Sequence, residues 1–138
     1  MKLSKIVRDK NHLLKLIEDE ISLHGLECDL NHLNVSRVKD MEGMFSHSKF
    51  NGDISNWDVS KVTDMNWMFF SSQFKGDLTD WLPYKLENKL DMFKDCTAPK
   101  PYWYIAENTK KAIETYQLNN KLECQLSDIN KIVKKIKI

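Results

Sequence analysis

The chain has 138 residues, with 41% hydrophobic and 30% charged residues, an ordinary make-up for one soluble globular domain with a modest core. Its net charge is +1, from 21 basic and 20 acidic residues, which is no electrostatic footprint for nucleic acid. Three cysteines, Cys28, Cys96 and Cys124, form no CxxC pair, so neither a zinc site nor a redox motif is expected.

Residues 1–28 read as an N-terminal cap. LSKIVR suits a short strand. NHLLKLIEDEISLHG spaces Leu13, Leu14, Ile17 and Ile21 as a helix, with Asn11 as N-cap and Gly25 as stop. MKLSKIVRDKNHLL has no apolar h-region, and no apolar run is long enough to span a membrane. The expectation is a cytoplasmic protein with no membrane partner.

Residues 29–100 repeat with a period of 24. FNGDISNW at 50–57 returns as FKGDLTDW at 74–81, and three units fit: 29–52, 53–76 and 77–100. Asp29, Asp53 and Asp77 align, as do Leu33, Trp57 and Trp81. The pairs Met44–Phe45, Met68–Phe69 and Met92–Phe93 also align. The third unit degrades, with Pro83 in place of Val35 and Val59, and Lys89 in place of Met41 and Met65. Within the middle unit, Ile54-x-x-Trp57-x-Val59 suggests a short strand with these side chains inward. Val62, Met65, Met68 and Phe69 suggest a short helix closing the unit. Such units cannot bury their inner faces alone, but stacked together they can. The predicted fold is an α/β leucine-rich-repeat-like solenoid of about three strand–helix units between helical caps. Trp57, Trp81, Met44, Met68, Phe45 and Phe69 should share one core.

Residues 101–138 carry seven basic and four acidic residues, so +3. Pro99 and Pro101 break the repeat. ENTKKAIETYQL and SDINKIVKKIKI read as two helices. In the second, Ile129, Ile132, Val133 and Ile136 lie on one side, with Lys131, Lys134, Lys135 and Lys137 on the other. Three readings stay open: a cap packed on the repeats, a basic amphipathic helix that docks a partner, or one that binds a membrane surface.

FNGDISNWDVSKVTDMNWMF resembles the repeat of the BspA-like leucine-rich-repeat family, FNxDIxxWDVSxVTxMxxMF. The middle unit matches almost completely, LNHLNVSRVKDMEGMF matches well, and the third unit matches poorly. The resemblance implies a repeat fold and a role in binding or adhesion, among bacterial proteins often displayed at cell surfaces.

No catalytic constellation is visible. His12, His24, His32 and His47 form no HxxxH or HExxH pair, and neither a GxGxxG nor a P-loop is present, so no enzyme activity, cofactor or metal is expected. The aspartate column at 29, 53 and 77 is expected to close Asx turns, with a calcium ladder as the alternative. Two surfaces suit a partner. Trp67 and Phe70 stand where the first unit has Gly43 and Ser46 and the third has Asp91 and Lys94. Two aromatics three apart on a helix would form an outward patch or pack under a terminal flank. The residues between the inward positions, among them His32, Asn34, Asn56, Asp58 and Asp80, would line a polar recognition face. The expected partner is another protein. Lys131, Lys134 and Lys135 are the one segment left open to nucleic acid. The functional expectation is a non-enzymatic, intracellular protein-binding module. The alternatives are a small phage or mobile-element inhibitor of a bacterial defence nuclease complex, and a fragment of a surface adhesin.

Overall fold

A computed structural model describes residues 3–136. Its elements in chain order are β1 (Lys5–Ile6), α1 (Lys10–His24), β2 (Leu33–Asn34), α2 (Tyr102–Ile105) and α3 (Thr109–Ile136). β1 pairs in parallel with β2, with Lys5 opposite Leu33 and Ile6 opposite Asn34. The cap of α1 is Asp9 and not Asn11: its carboxylate accepts the His12 N–H at 2.9 Å. The helix stops at Gly25, whose φ of 91° few other residues tolerate and whose N–H returns to the Ile21 carbonyl. Leu13 and Ile17 are buried, whereas Leu14 faces out.

The expected leucine-rich-repeat-like solenoid of strand–helix units is not what this chain builds. Among the described residues, no helix lies between His24 and Tyr102, and β2 is the one strand there. Successive repeats instead lie in register as stacked turns, joined by single parallel bridges at Asp29–Asp53, Asp40–Asp64 and Asp64–Asn88. The apolar spacing has a different cause from the strand first read into it. Leu33 N–H bonds back to the Leu30 carbonyl and Val38 N–H to that of Val35. The same pairs recur at 57/54 and 62/59, then at 81/78 and 86/83. Each is a three-residue return, and its two end residues both point inward.

The segment expected to be helical fails for a backbone reason. Gly43, Trp67 and Asp91 have φ of 63°, 54° and 49°, and His47, Ser71 and Asp95 have 57°, 52° and 56°. Left-handed residues at every fourth position break an α-helix. They also turn alternate amides outward. The N–H groups of Met41, Gly43, Phe45 and His47 donate to the carbonyls of Asp64, Asn66, Met68 and Phe70 in the next repeat. Those of Met65, Trp67, Phe69 and Ser71 reach Asn88, Leu90, Met92 and Lys94 in the same way. Met44, Ser46 and Ser48 bond back within their own unit.

One core cluster runs from Val7 to Ile113 and includes all six expected core residues. It is organised as columns of rings. Phe45, Phe69 and Phe93 stack at 5.5 and 5.4 Å, within 9° of parallel. Trp57, Trp81 and Trp103 stack at 6.3 and 6.4 Å. Each indole also donates one unit back, Trp57 Nε1 to Leu30 O, Trp81 Nε1 to Ile54 O and Trp103 Nε1 to Leu78 O, at 2.9–3.0 Å. Gly52 and Gly76 are dictated by packing: a Cβ at Gly52 would overlap the Cys28 carbonyl and the Phe50 ring, and one at Gly76 would overlap the Phe74 ring.

The C-terminal segment is one short helix and one long one, not two of similar length. Trp103 in α2 takes the next place in the tryptophan column. Lys89 holds α2 in place: its ammonium bonds the Trp103 carbonyl at 3.2 Å, the Thr109 hydroxyl at 3.0 Å and the Ala106 carbonyl. Desolvation pushes the Lys89 pKa down. Only Thr109 and Ile113 of α3 are buried. From Gln117 to Ile136 every residue is exposed, so α3 is an arm leaving the body and its second half caps nothing.

Trp57→Ala is expected to cost about 3–5 kcal/mol, a large part of the roughly 5–15 kcal/mol a domain holds in total. Trp57→Phe keeps a ring in the column and removes one of the two donors to the Leu30 carbonyl, the Leu33 N–H remaining, and should cost about 0.5–1.5 kcal/mol. Urea unfolding of parent and both variants checks the order. An alanine variant as stable as the parent would remove the column from the account of this fold.

Candidate binding surfaces

The polar positions expected to form a recognition face fall into two columns, His32–Asn56–Asp80 and Asn34–Asp58–Leu82, and the structure divides them. His32 is not on an open face. Its side chain is 8% exposed, and Nε2 lies 3.1 Å from a Glu20 carboxylate that is itself 6% exposed. Lys5 at 3.5 Å and His24 at 3.7 Å complete the cluster. His32 therefore helps seat α1 on the first repeat. The sequence hid this because Glu20 looks like a surface residue of an amphipathic helix until β1 and β2 close around it.

Asn34, Asn56, Asp58 and Asp80 are exposed. Asn34 and Asp58 are committed locally, accepting the N–H groups of Ser36 and Ser60 at 3.1 and 3.0 Å. The aspartate column behaves in the same way. Asp29 accepts the Asn31 N–H, Asp53 the N–H and hydroxyl of Ser55, and Asp77 those of Thr79. These are Asx turns, each satisfying the backbone of its own corner. The Asp53 carboxyl is held below the usual carboxylate range by the Ser55 N–H first and its hydroxyl next. The Asp77 carboxyl is held down by the Thr79 hydroxyl and then its N–H. Between these corners lies an open groove of about 490 Å³, lined by Asn51, Asp53, Ser55, Lys75 and Asp77. A different acidic group, Asp40, Glu42 and Asp64, brings one oxygen from each residue within 4.8 Å of the others. There too Asp40 and Asp64 accept the N–H groups of Glu42 and Asn66.

Trp67 and Phe70 lie on a turn and not on a helix face. Phe70 N–H donates to the Trp67 carbonyl at 3.1 Å, and its half-buried ring meets His47 edge-on at 5.3 Å. Trp67 is 38% exposed. Its column explains the residues seen in the other units: Gly43 and Asp91 are tolerant of positive φ, and a bulky indole there is strained. Leu90, 59% exposed, adjoins Trp67 through the Trp67 N–H to Leu90 carbonyl bond. It extends the apolar surface at a position where the other units carry Glu42 and Asn66, which was the sequence signal for it. Lys131, Lys134 and Lys135 are all exposed on the arm.

Among the described residues, no helix is long and apolar enough to cross a membrane. A family model described as a Mycoplasma protein of unknown function, DUF285, matches residues 17–129. No curated protein and no solved structure matches the chain.

Two outcomes follow from this geometry. In a helix, alanine at position 67 would be more stable than glycine by about 1 kcal/mol. At a φ of 54° the order reverses, so Trp67→Gly should exceed Trp67→Ala by about 1 kcal/mol in chemical unfolding. The second concerns acid. The folded pKa values of Asp53 and Asp77 lie below the ordinary value of 3.8, so their stabilisation is present above that pH and is lost as the pH falls through the lowered values. The paired change Asp53→Asn and Asp77→Asn keeps a neutral acceptor at each corner. The parent should be the more stable at about pH 6, and its advantage should shrink by about pH 3. An advantage that stays constant between the two would remove these carboxylates from the acid response.

Proposed function

We propose that this chain, which belongs to the Mycoplasma protein family of unknown function DUF285, is a non-enzymatic protein-binding module. Trp67 carries the reading. A strained left-handed backbone is retained under a large, partly exposed indole, where glycine or aspartate serves in the neighbouring repeats. Such strain persists where the side chain has a use, and aromatic anchors dominate protein interfaces. Leu90 and Phe70 flank it, giving a small apolar centre on an otherwise polar surface, the arrangement typical of a contact site. The likeness of residues 53–76 to BspA-like repeats supports binding over catalysis. So does the use of Asp29, Asp40, Asp53, Asp58, Asp64 and Asp77 as turn acceptors. None of the three cysteines forms a disulfide, which suits a reducing compartment.

The double change Trp67→Gly and Phe70→Ser borrows residues already used by the first repeat, so the fold should survive. Affinity capture from the native host, with parent and variant as parallel baits, should recover a partner that the variant loses. Anchors of this type carry about 2 kcal/mol or more, roughly thirtyfold in affinity. A folded variant that keeps every partner of the parent would overturn the assignment of this surface.

A further inference from the structure

The arm of α3 presents a seam that no other described residue covers. Leu122, Leu126, Ile129, Val133 and Ile136 are 52%, 58%, 55%, 43% and 69% exposed. Their spacing is four, three, four, three, which is the a/d pattern of a period of 3.5. Asn119 occupies the same seam one step earlier, at an a position. At 3.6 residues per turn, the seam lies roughly 130° around the helix from Thr109, Ala112, Ile113 and Tyr116, the face turned to the body. The body therefore cannot shield it, and the exposed stretch from 117 to 136 runs for about 30 Å.

We propose that this arm pairs with the same arm of a second copy as a parallel two-stranded coiled coil, Asn119 at an a position setting two strands against the higher order that Leu126 at a with Ile129 and Ile136 at d would otherwise favour. The first argument is area. With Leu118 and Ile132 on its border, the seam has seven apolar side chains. At roughly 100 Å² of exposed surface each, two copies would bury about 1,400 Å², the size of a standard specific interface. The second argument is charge. Lys121, Asp128, Lys131, Lys134 and Lys135 fall at b, c and f positions, away from the seam. Flanking positions that would repel an identical helix or select a different one carry Leu118, Gln125, Asn130 and Ile132, with Glu123 the sole charge at the e and g positions between 118 and 136. In parallel register Gln125 meets Asn130 of the second copy, and Leu118 meets Glu123. The third argument sets direction. Parallel pairing places Asn119 opposite Asn119, amide to amide, the known use of a single polar a residue. Antiparallel pairing with the a and d layers matched would set Asn119 against Ile136 and leave it unsatisfied.

Sedimentation equilibrium of the full chain should give a dimer whose fraction rises with concentration. Leu126→Glu lies on the exposed arm, so circular dichroism and melting of the body should stay near the parent's while dimerisation weakens at least about tenfold. Direction is read from Leu122→Cys in a Cys124→Ser background. Parallel arms bring the two thiols together, and mild oxidation should link them. Antiparallel arms would hold them about 16 Å apart along the axis, at 1.5 Å per residue. A parent that stays monomeric at every concentration overturns the proposal. So does a dimer unaffected by Leu126→Glu, and a dimer that fails to cross-link through residue 122 overturns its parallel arrangement. None of these outcomes depends on Trp67.

Discussion

The structure between the terminal segments depends on one kind of hydrogen bond, from an amide in one repeat to a carbonyl 23 residues later in the next. Met41 to Asp64, Phe45 to Met68 and Phe69 to Met92 are examples. Such a bond must point along the stacking direction, whereas an α-helix aims its amides along its own axis. The chain reconciles the two by inserting left-handed residues at 43 and 47 and at their equivalents, which rotate every second amide outward. Other amides bond within their own turn, as those of Met44 and Ser46 do, or reach back to the preceding unit, as those of Thr63, Gln73 and Glu87 do. The register is held by these turn-to-turn bonds and not by continuous ladders, which is why single bridges stand where strands were expected.

Side-chain columns follow from that register. A period of 24 places like over like, so large flat rings stack and asparagines bridge units, as Asn31 does to Asn56, Asn51 to Lys75 and Asn66 to Leu90. Like charges in a column would be costly. The aspartates avoid this by turning into their own corners and binding local N–H groups. The same feature that looks chemical in the sequence, a file of carboxylates, is consumed by architecture.

The period, its three-unit frame and the identity of the core were legible because ring columns demand strict repetition, and Trp57, Trp81 and the Met–Phe pairs repeat strictly. Secondary structure was not legible. A spacing of three, two and three between apolar residues fits a strand edge, a helix face and a pair of turns alike, and only the backbone decides among them. One clue was present: Gly43 and Asp91 both favour positive φ, and their column marked a turn before it marked a solvent-facing site. For the candidate surfaces, Trp67 could be found because it breaks the column, and Leu90 by the same test. His32 could not be placed, since its burial depends on Glu20 and β1, which belong to the non-repeating cap. Trp103 was missed because α2 arrives 22 residues after Trp81 and so falls outside the frame.

A stack of identical turns has no natural end, because its last layer exposes the same rings and carbonyls as every other. At the first repeat, α1 and β1 cover that layer. At the last, the solution is a departure from the repeat: Trp103 supplies one more ring, Tyr104 meets Phe93 edge-on at 5.0 Å, and Lys89 replaces the methionine of the earlier units to gather the carbonyls at the end of α2. Closure is complete by the next turn of α3, where Tyr116 stacks on Tyr102 at 4.2 Å and Gln117 accepts the Tyr84 hydroxyl at 2.6 Å. Everything in α3 beyond that turn is free of any duty to the body's core. A long apolar file maintained there, without a core to fill, answers to a second helix and not to the fold that carries it. The degenerate third repeat and the arm belong together. The residues that spoil the pattern at Pro83 and Lys89 are the ones that end the stack and let the helix leave it.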